Sequence, residues 1–264
     1  MLTYLKKHPV AAAPSSCHGV LLLHAFPLSA QMWTRQLAPL ADAGYWVIAP
    51  NSFGIEGSAL QNEWIFTDYA HEVARLLEQE GLERVTVVGL SMGGYQAFEF
   101  CRLYPEKVCS LVLCDTRAEA DSPDALTNRQ AFLTAVKENG AAEAAARMIP
   151  NYFSPASYTT APELIAEAER IILAQSPAVI NAAMQAIMCR NDATTLLDSI
   201  QCPVLVLNGE HDRLTDRNCA ENIINHCPGA RLRIIAQAGH ISNMEQPETF
   251  NRFLLEHLGE VNGC

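Results

Sequence analysis

The sequence predicts an α/β fold, a mostly parallel sheet flanked by helices and interrupted by a helical insertion. Three observations carry that expectation. Short apolar runs of strand length alternate with amphipathic stretches of helical period. A Gly89-Leu90-Ser91-Met92-Gly93 pentapeptide stands directly between one such run and a helical stretch, and residues 117–198 hold no strand pattern at all.

Taken in order, residues 19–24, 45–49, 85–89, 108–114, 204–208 and 232–235 read as buried strands. Strands covered on both faces are near-continuous apolar runs, as these are. Between them, residues 69–80 place Ala70, Val73, Leu76 and Leu77 on one helical face, and residues 96–104 are closed by Pro105. The alternation stops at Arg117. Residues 124–139, 141–149, 162–175 and 177–189 then read as successive helices, with little Gly and no low-complexity tract, so a packed subdomain is expected. The expected division is a core of residues 1–116 and 199–264 and a helical cap of residues 117–198. The cap leaves the sheet at a strand's carboxyl end, the edge where parallel sheets present their functional loops.

Composition narrows the function classes. With 264 residues the chain can bury a core without disulfides or metal. Its net charge of -11 has the wrong sign for a phosphate backbone or an anionic membrane surface, so neither nucleic acid nor membrane is an expected partner. No segment approaches the ~20 apolar residues of a membrane span, and residues 1–16 hold no apolar stretch of signal-peptide length; a cytoplasmic protein is expected. The nine cysteines are scattered without C-x-x-C spacing, so no metal site is expected, and Cys101, Cys109, Cys114 and Cys189 fall within apolar patterns as small buried hydrophobes.

The chemistry concentrates at Ser91. A serine at a tight strand-to-helix turn is thrust out of the sheet, and glycines two residues before and after it relieve the crowding. Its hydroxyl needs a base, and the base needs a carboxylate to orient it. His240, in Gln237-Ala-Gly-His-Ile-Ser, follows the last strand signal, while His211, His226 and His257 are worse placed. Asp212, just beyond the run at 204–208, is the expected acid; Asp115, ending the run at 108–114, is its competitor, with a role as a cap as the plainer alternative. Backbone N–H donors for an oxyanion are expected from Met92 and from Phe26, with His24 shaping the loop beside it.

Ser91, Asp212 and His240 together resemble the α/β-hydrolase superfamily over nearly the whole chain. HAFPLSAQMW, CDTRAEADSP, MCRNDATTLLDSIQCPVLVLNGEHD and AGHISNMEQPETFN are similar to the bacterial carboxylesterase or 3-oxoadipate enol-lactonase-like branch. The resemblance implies an α/β-hydrolase fold with a helical lid, and cofactor-independent hydrolysis of a small ester or lactone. Ala25 stands where the family more often has glycine, Asn51 to Ser58 replaces a more usual Asp-x-x-Gly-x-Gly-x-Ser, and the segment before Gly19 is short for the usual opening hairpin, so truncated initial strands are expected. Ser91 argues against dehalogenases and epoxide hydrolases, which carry aspartate there; carbon–carbon bond hydrolases keep the serine.

Trp33, Phe153, Met184, Ile187 and Met188, with Phe26 and Met92, are expected to line an apolar acyl pocket. Two other readings stand beside the esterase. A methyl esterase for esters on an acyl carrier protein would want a basic lid, but residues 117–198 hold six basic and ten acidic side chains, a net of -4. A non-catalytic ligand receptor on the same fold would have no use for an intact triad.

Overall fold

The apolar runs form strands because each is rich in Val, Ile and Leu and long enough to cross a sheet once. In a computed structural model describing residues 1–9 and 18–261, the strands are β1 (Tyr4–Lys7), β2 (His18–Leu23), β3 (Trp46–Pro50), β4 (Arg84–Leu90), β5 (Val108–Cys114), β6 (Val204–Gly209) and β7 (Arg231–Ile235). They make one sheet in the order β1-β3-β2-β4-β5-β6-β7, with β1 antiparallel to β3 and the other pairings parallel. The interior strand β5 is buried throughout, and its Ser110 hydroxyl is satisfied by Thr86 of the central strand β4 at 2.8 Å. The edge strand β7 carries Arg231 and Arg233, charges that discourage edge-to-edge pairing. Of the expected shortening before Gly19, β1 has four residues, and residues 10–17 lie outside the described residues.

Helices α1 (Thr34–Asp42), α2 (Phe66–Gln79) and α3 (Met92–Leu103) belong to the first half. Between β5 and β6 come α4 (Pro123–Asn139), α5 (Ala141–Met148), α6 (Ser157–Thr160), α7 (Pro162–Leu173), α8 (Pro177–Met188) and α9 (Thr194–Leu197), followed after β6 by α10 (Arg217–His226), α11 (Ser242–Glu245) and α12 (Pro247–Val261). Proline opens α4, α7 and α8, where a missing N–H costs nothing, and the Ser122 and Ser176 hydroxyls cap α4 and α8. The inserted helices pack on one another, α4 on α8 and α5 on α7, with Phe132, Val136, Ile172 and Ile180 buried. No single described helix is long and apolar enough to cross a membrane.

Two expectations are corrected. Helix α3 starts at Met92, four residues before the expected Gln96, because the glycines that weaken a helix in isolation are demanded here by close packing. Cys101, Cys109 and Cys114 are buried, but Cys189 is exposed, since it caps the end of α8 where the apolar face has already turned away. Cys17 and Cys264 lie outside the described residues.

The chain steps from β2 to β3 on one side and then to β4 on the other, so the sheet order reverses between β2 and β4. The loops after these two strands flank the crevice that such a reversal opens at the strands' carboxyl ends. They carry Phe26 and Ser91.

Candidate active site

Ser91 occupies a turn between β4 and α3 that few sequences tolerate. Its φ of 56° and ψ of -113° are strained for a residue with a side chain. The turn is held by Ser91 N donating to Cys114 O at 2.9 Å and by the Thr116 hydroxyl donating to Ser91 O at 2.8 Å. Glycine is required on both sides by close approach: a Cβ on Gly89 would lie 2.2 Å from Gly93 O, and one on Gly93 would lie 2.1 Å from Leu23 O. The elbow thereby presses against β2 and presents the serine hydroxyl above the sheet.

The structure brings Ser91, His240 and Asp212 into one line. His240 Nε2 lies 2.8 Å from Ser91 Oγ, and His240 Nδ1 lies 2.9 Å from Asp212 Oδ2. A carboxylate only accepts, so Nδ1–H donates to it and Nε2 is left to accept from the serine hydroxyl. Asp212 also accepts from the N–H groups of Leu214 and Thr215 and from the Thr215 hydroxyl, at 2.8, 3.1 and 2.6 Å. Burial pushes its carboxyl up, yet the facing His240 ring and these hydrogen bonds outweigh it and hold Asp212 below the ordinary carboxylate value. Burial pulls His240 down, and the charge and hydrogen bond of Asp212 outweigh that too, leaving the imidazole above its ordinary value.

Asp115 is nearby but turned to other work. Gly209 N and Ser242 Oγ donate to its two oxygens, the first at 2.7 Å, so it bridges the strand end leading to Asp212 and the helix following His240. Burial, reinforced by the Asp212 charge, raises its carboxyl to about 8. His24 is likewise structural in its contacts: Nδ1–H donates to Ala25 O at 2.9 Å while Nε2 accepts from Ser52 N at 3.0 Å, and burial lowers it to about 4. The Asn51 to Ser58 loop is tied down through Asn51, whose Oδ1 accepts from Ala30 N at 2.8 Å and whose amide donates to Thr3 Oγ1 at 3.1 Å.

A cavity of about 430 Å³ opens over the serine, lined by Ser91, His240, Phe26 and Met92 and by Met184 and Ile187 of α8. Phe26 and Met92 both line it, and neither backbone N–H donates a hydrogen bond among the described residues. Three expected lining residues do not reach it. Trp33 is fully buried in the core against Phe250, Phe153 turns its ring to Tyr152 and Tyr158, and Met188 faces a groove on the other side of α8 with Gln130 and Lys137. Met184, Ile187 and Met188 share helical spacing, but the cavity takes only the first two.

The cavity is also more polar than an apolar pocket. Arg117, Asp121 and Arg129 form part of its wall. Asp121 pairs with Arg129 at 2.6 Å and with Arg190 at 2.8 Å, while Arg117 donates to Leu214 O. The signal lay in CDTRAEADSP, which carries Arg117 and Asp121 directly after a strand. Tyr152 has no such signal: its ring stacks on His240, its hydroxyl donates to Phe26 O and its carbonyl accepts from Ile241 N at 3.0 Å, so one inserted residue braces both sides of the site. Among the described residues no group of three His, Cys, Asp or Glu is arranged to hold a metal ion.

The family model described as alpha/beta hydrolase fold matches residues 20–247. The chain belongs to the α/β-hydrolase family. This α/β-hydrolase is 28% identical over 264 residues to RutD of Escherichia coli O127:H6, by name a carbamate hydrolase, covering 97% of this chain and 96% of that one. It is 28% identical over 221 residues to 3-oxoadipate enol-lactonase 2 of Acinetobacter baylyi, covering 83% and 80%. Among solved structures, a thermophilic esterase from Thermogutta terrifontis is 34% identical with a TM-score of 0.92, covering 98% of this α/β-hydrolase and 93% of that chain.

Proposed function

We propose that the protein is a serine hydrolase that cleaves carboxylic esters or lactones through an acyl-serine intermediate. The observation that carries this reading is the unbroken line from Ser91 Oγ to His240 to Asp212 at the mouth of a cavity. His240 takes the serine proton as Oγ attacks the carbonyl, and the N–H groups of Phe26 and Met92 receive the oxyanion, each worth about 3 kcal/mol at comparable sites. His240 then protonates the leaving alcohol and activates the water that releases the acid, while Asp212 stays ionised and fixes the tautomer.

The esterase and enol-lactonase likenesses support an ester or lactone substrate. The Thermogutta esterase holds malate in its solved structure. Arg117 in this cavity forms no ion pair among the described residues, which favours including acid-bearing esters and lactones among the substrates tried. The carrier-protein reading gains little from the cap's arginines: Arg129 and Arg190 turn to Asp121 and Arg147 to Glu143, which leaves Arg117 and Arg170 outside ion pairs among the described residues.

Hydrolysis of p-nitrophenyl acetate and butyrate by the purified protein and by Ser91→Ala tests the reading. The wild type turns over and the variant, folded, loses essentially all kcat. Retention of more than about a hundredth of kcat would refute the nucleophile, and a folded wild type inert towards every ester and lactone would favour the receptor.

A further inference from the structure

A second cavity, of about 330 Å³, lies beside the catalytic one between α2, α3 and the end of α8. The two share one wall residue, Tyr95. Tyr95 sits one helical turn after Ser91 on α3 and is 7% exposed. Its ring is clamped: the Arg190 guanidinium lies 4.3 Å over its face, a stabilising cation–π placement, and Phe66 packs against it at 6.3 Å. Arg190 is in turn pinned by Asp121 at 2.8 Å and by the carbonyls of Glu119 and Ile187. The ring is therefore a fixed partition, not a side chain free to swing aside.

The chemistry of the second cavity says what it would take. Phe66, Phe98, Ala118, Ala193 and Leu196 supply its apolar lining. Of its charged groups, Glu99 pairs with Arg102 at 2.7 Å and accepts from the Thr67 hydroxyl, Arg190 pairs with Asp121, and Asp192 accepts from the N–H groups of Ala120 and Thr194 at 3.0 and 2.8 Å. Each charge is thus committed to protein donors or acceptors, and the apolar stretch between them suits an uncharged hydrocarbon chain.

We propose that Tyr95 is a specificity-determining residue that ends the chain-binding part of the catalytic cavity and so limits the length of ester the enzyme accepts. The inference rests on the ester-hydrolase reading. A chain bound with its carbonyl at Ser91 meets the Tyr95 ring, and removing that ring joins the two cavities, giving the chain access to the apolar lining of the second.

The test measures kcat/KM for two series, p-nitrophenyl esters from acetate to decanoate and butyrate esters from ethanol to octanol. The wild type falls off with length in the series whose chain points at Tyr95. Tyr95→Ala raises octanoate relative to butyrate, or octyl relative to ethyl, by tenfold or more, and the series that responds identifies which end of the substrate lies there. Tyr95→Phe keeps the ring and the wild-type fall-off. Adding Leu196→Trp to Tyr95→Ala refills the second cavity and reverses the gain. Should Tyr95→Ala not fold, Tyr95→Leu carries the same expectation with less volume lost. A folded Tyr95 variant that hydrolyses acetate with an unchanged profile in both series overturns the inference, as does a wild type that takes long and short chains equally. Absence of ester hydrolysis in the wild type would instead remove the function proposed above.

Discussion

Asp212 and Asp115 are two buried carboxyls at neighbouring strand ends, and their hydrogen bonds give them different work. Asp212 faces the imidazole; Asp115 ties the two turns that carry Asp212 and His240. Asp212→Asn loses the acceptor that sets the tautomer and is expected to lower kcat by about 10⁴-fold, while Asp115→Asn, whose amide can still accept from Gly209 and donate to Ser242, costs far less. The reverse ranking would move the acid to Asp115. The Asp115 carboxyl also makes stability depend on pH. It is raised from 3.8 to about 8, so between those values the folded protein keeps a proton that the unfolded chain releases, and this group works against folding increasingly as pH rises. Asp115→Asn does not titrate. Its Tm relative to wild type is therefore expected to be higher at pH 8 than at pH 5, and an equal difference at both would contradict the assigned burial.

The elbow and the inserted helices show what elements add to residues. A methyl group on Gly93 would meet the Leu23 carbonyl, backbone against backbone, with no flexible atom to yield. Gly93→Ala is expected to cost about 3 kcal/mol or more and to lower Tm by about 6 °C or more, read by thermal melting. On α8, Met184→Trp is expected to change the kcat/KM ratio of butyrate to acetate by about tenfold, whereas Met188→Trp, on the groove side, leaves it within twofold; equal effects would contradict the orientation of the helix. The strands β2 to β6 were legible because strands buried on both faces write themselves as apolar runs, and β7 by its shorter run, whereas the antiparallel edge strand β1, Tyr-Leu-Lys-Lys and half-exposed, has no such run. Ser91, Asp212 and His240 were legible because each follows such a run. The side chains that line the cavity were legible only in part: Met184 and Ile187 line it and Met188, Trp33 and Phe153 do not, since apolar residues carry the same signal whether they meet a cavity or the core. Tyr152 was hidden for another reason: its contacts with His240 and Phe26 join segments far apart in the chain, and no local period records them.

At the scale of the whole molecule, the reversal of strand order between β2 and β4 places the Phe26 and Ser91 loops side by side. The carboxyl ends of β6 and β7 then bring Asp212 and His240 to the same edge. The segment between β5 and β6 supplies Met184, Ile187 and Arg129 to the cavity over the serine, and Tyr152, from the turn between α5 and α6, against the histidine. Everything in this arrangement converges on the Ser91 hydroxyl, the nucleophile of the proposed mechanism. Its most direct test is covalent: the protein is treated with a fluorophosphonate, its intact mass is measured, and the adduct is located by peptide mapping. One adduct per chain, on Ser91 and lost in Ser91→Ala, is the predicted result; labelling of a different serine, or none on a protein that hydrolyses esters, would contradict it.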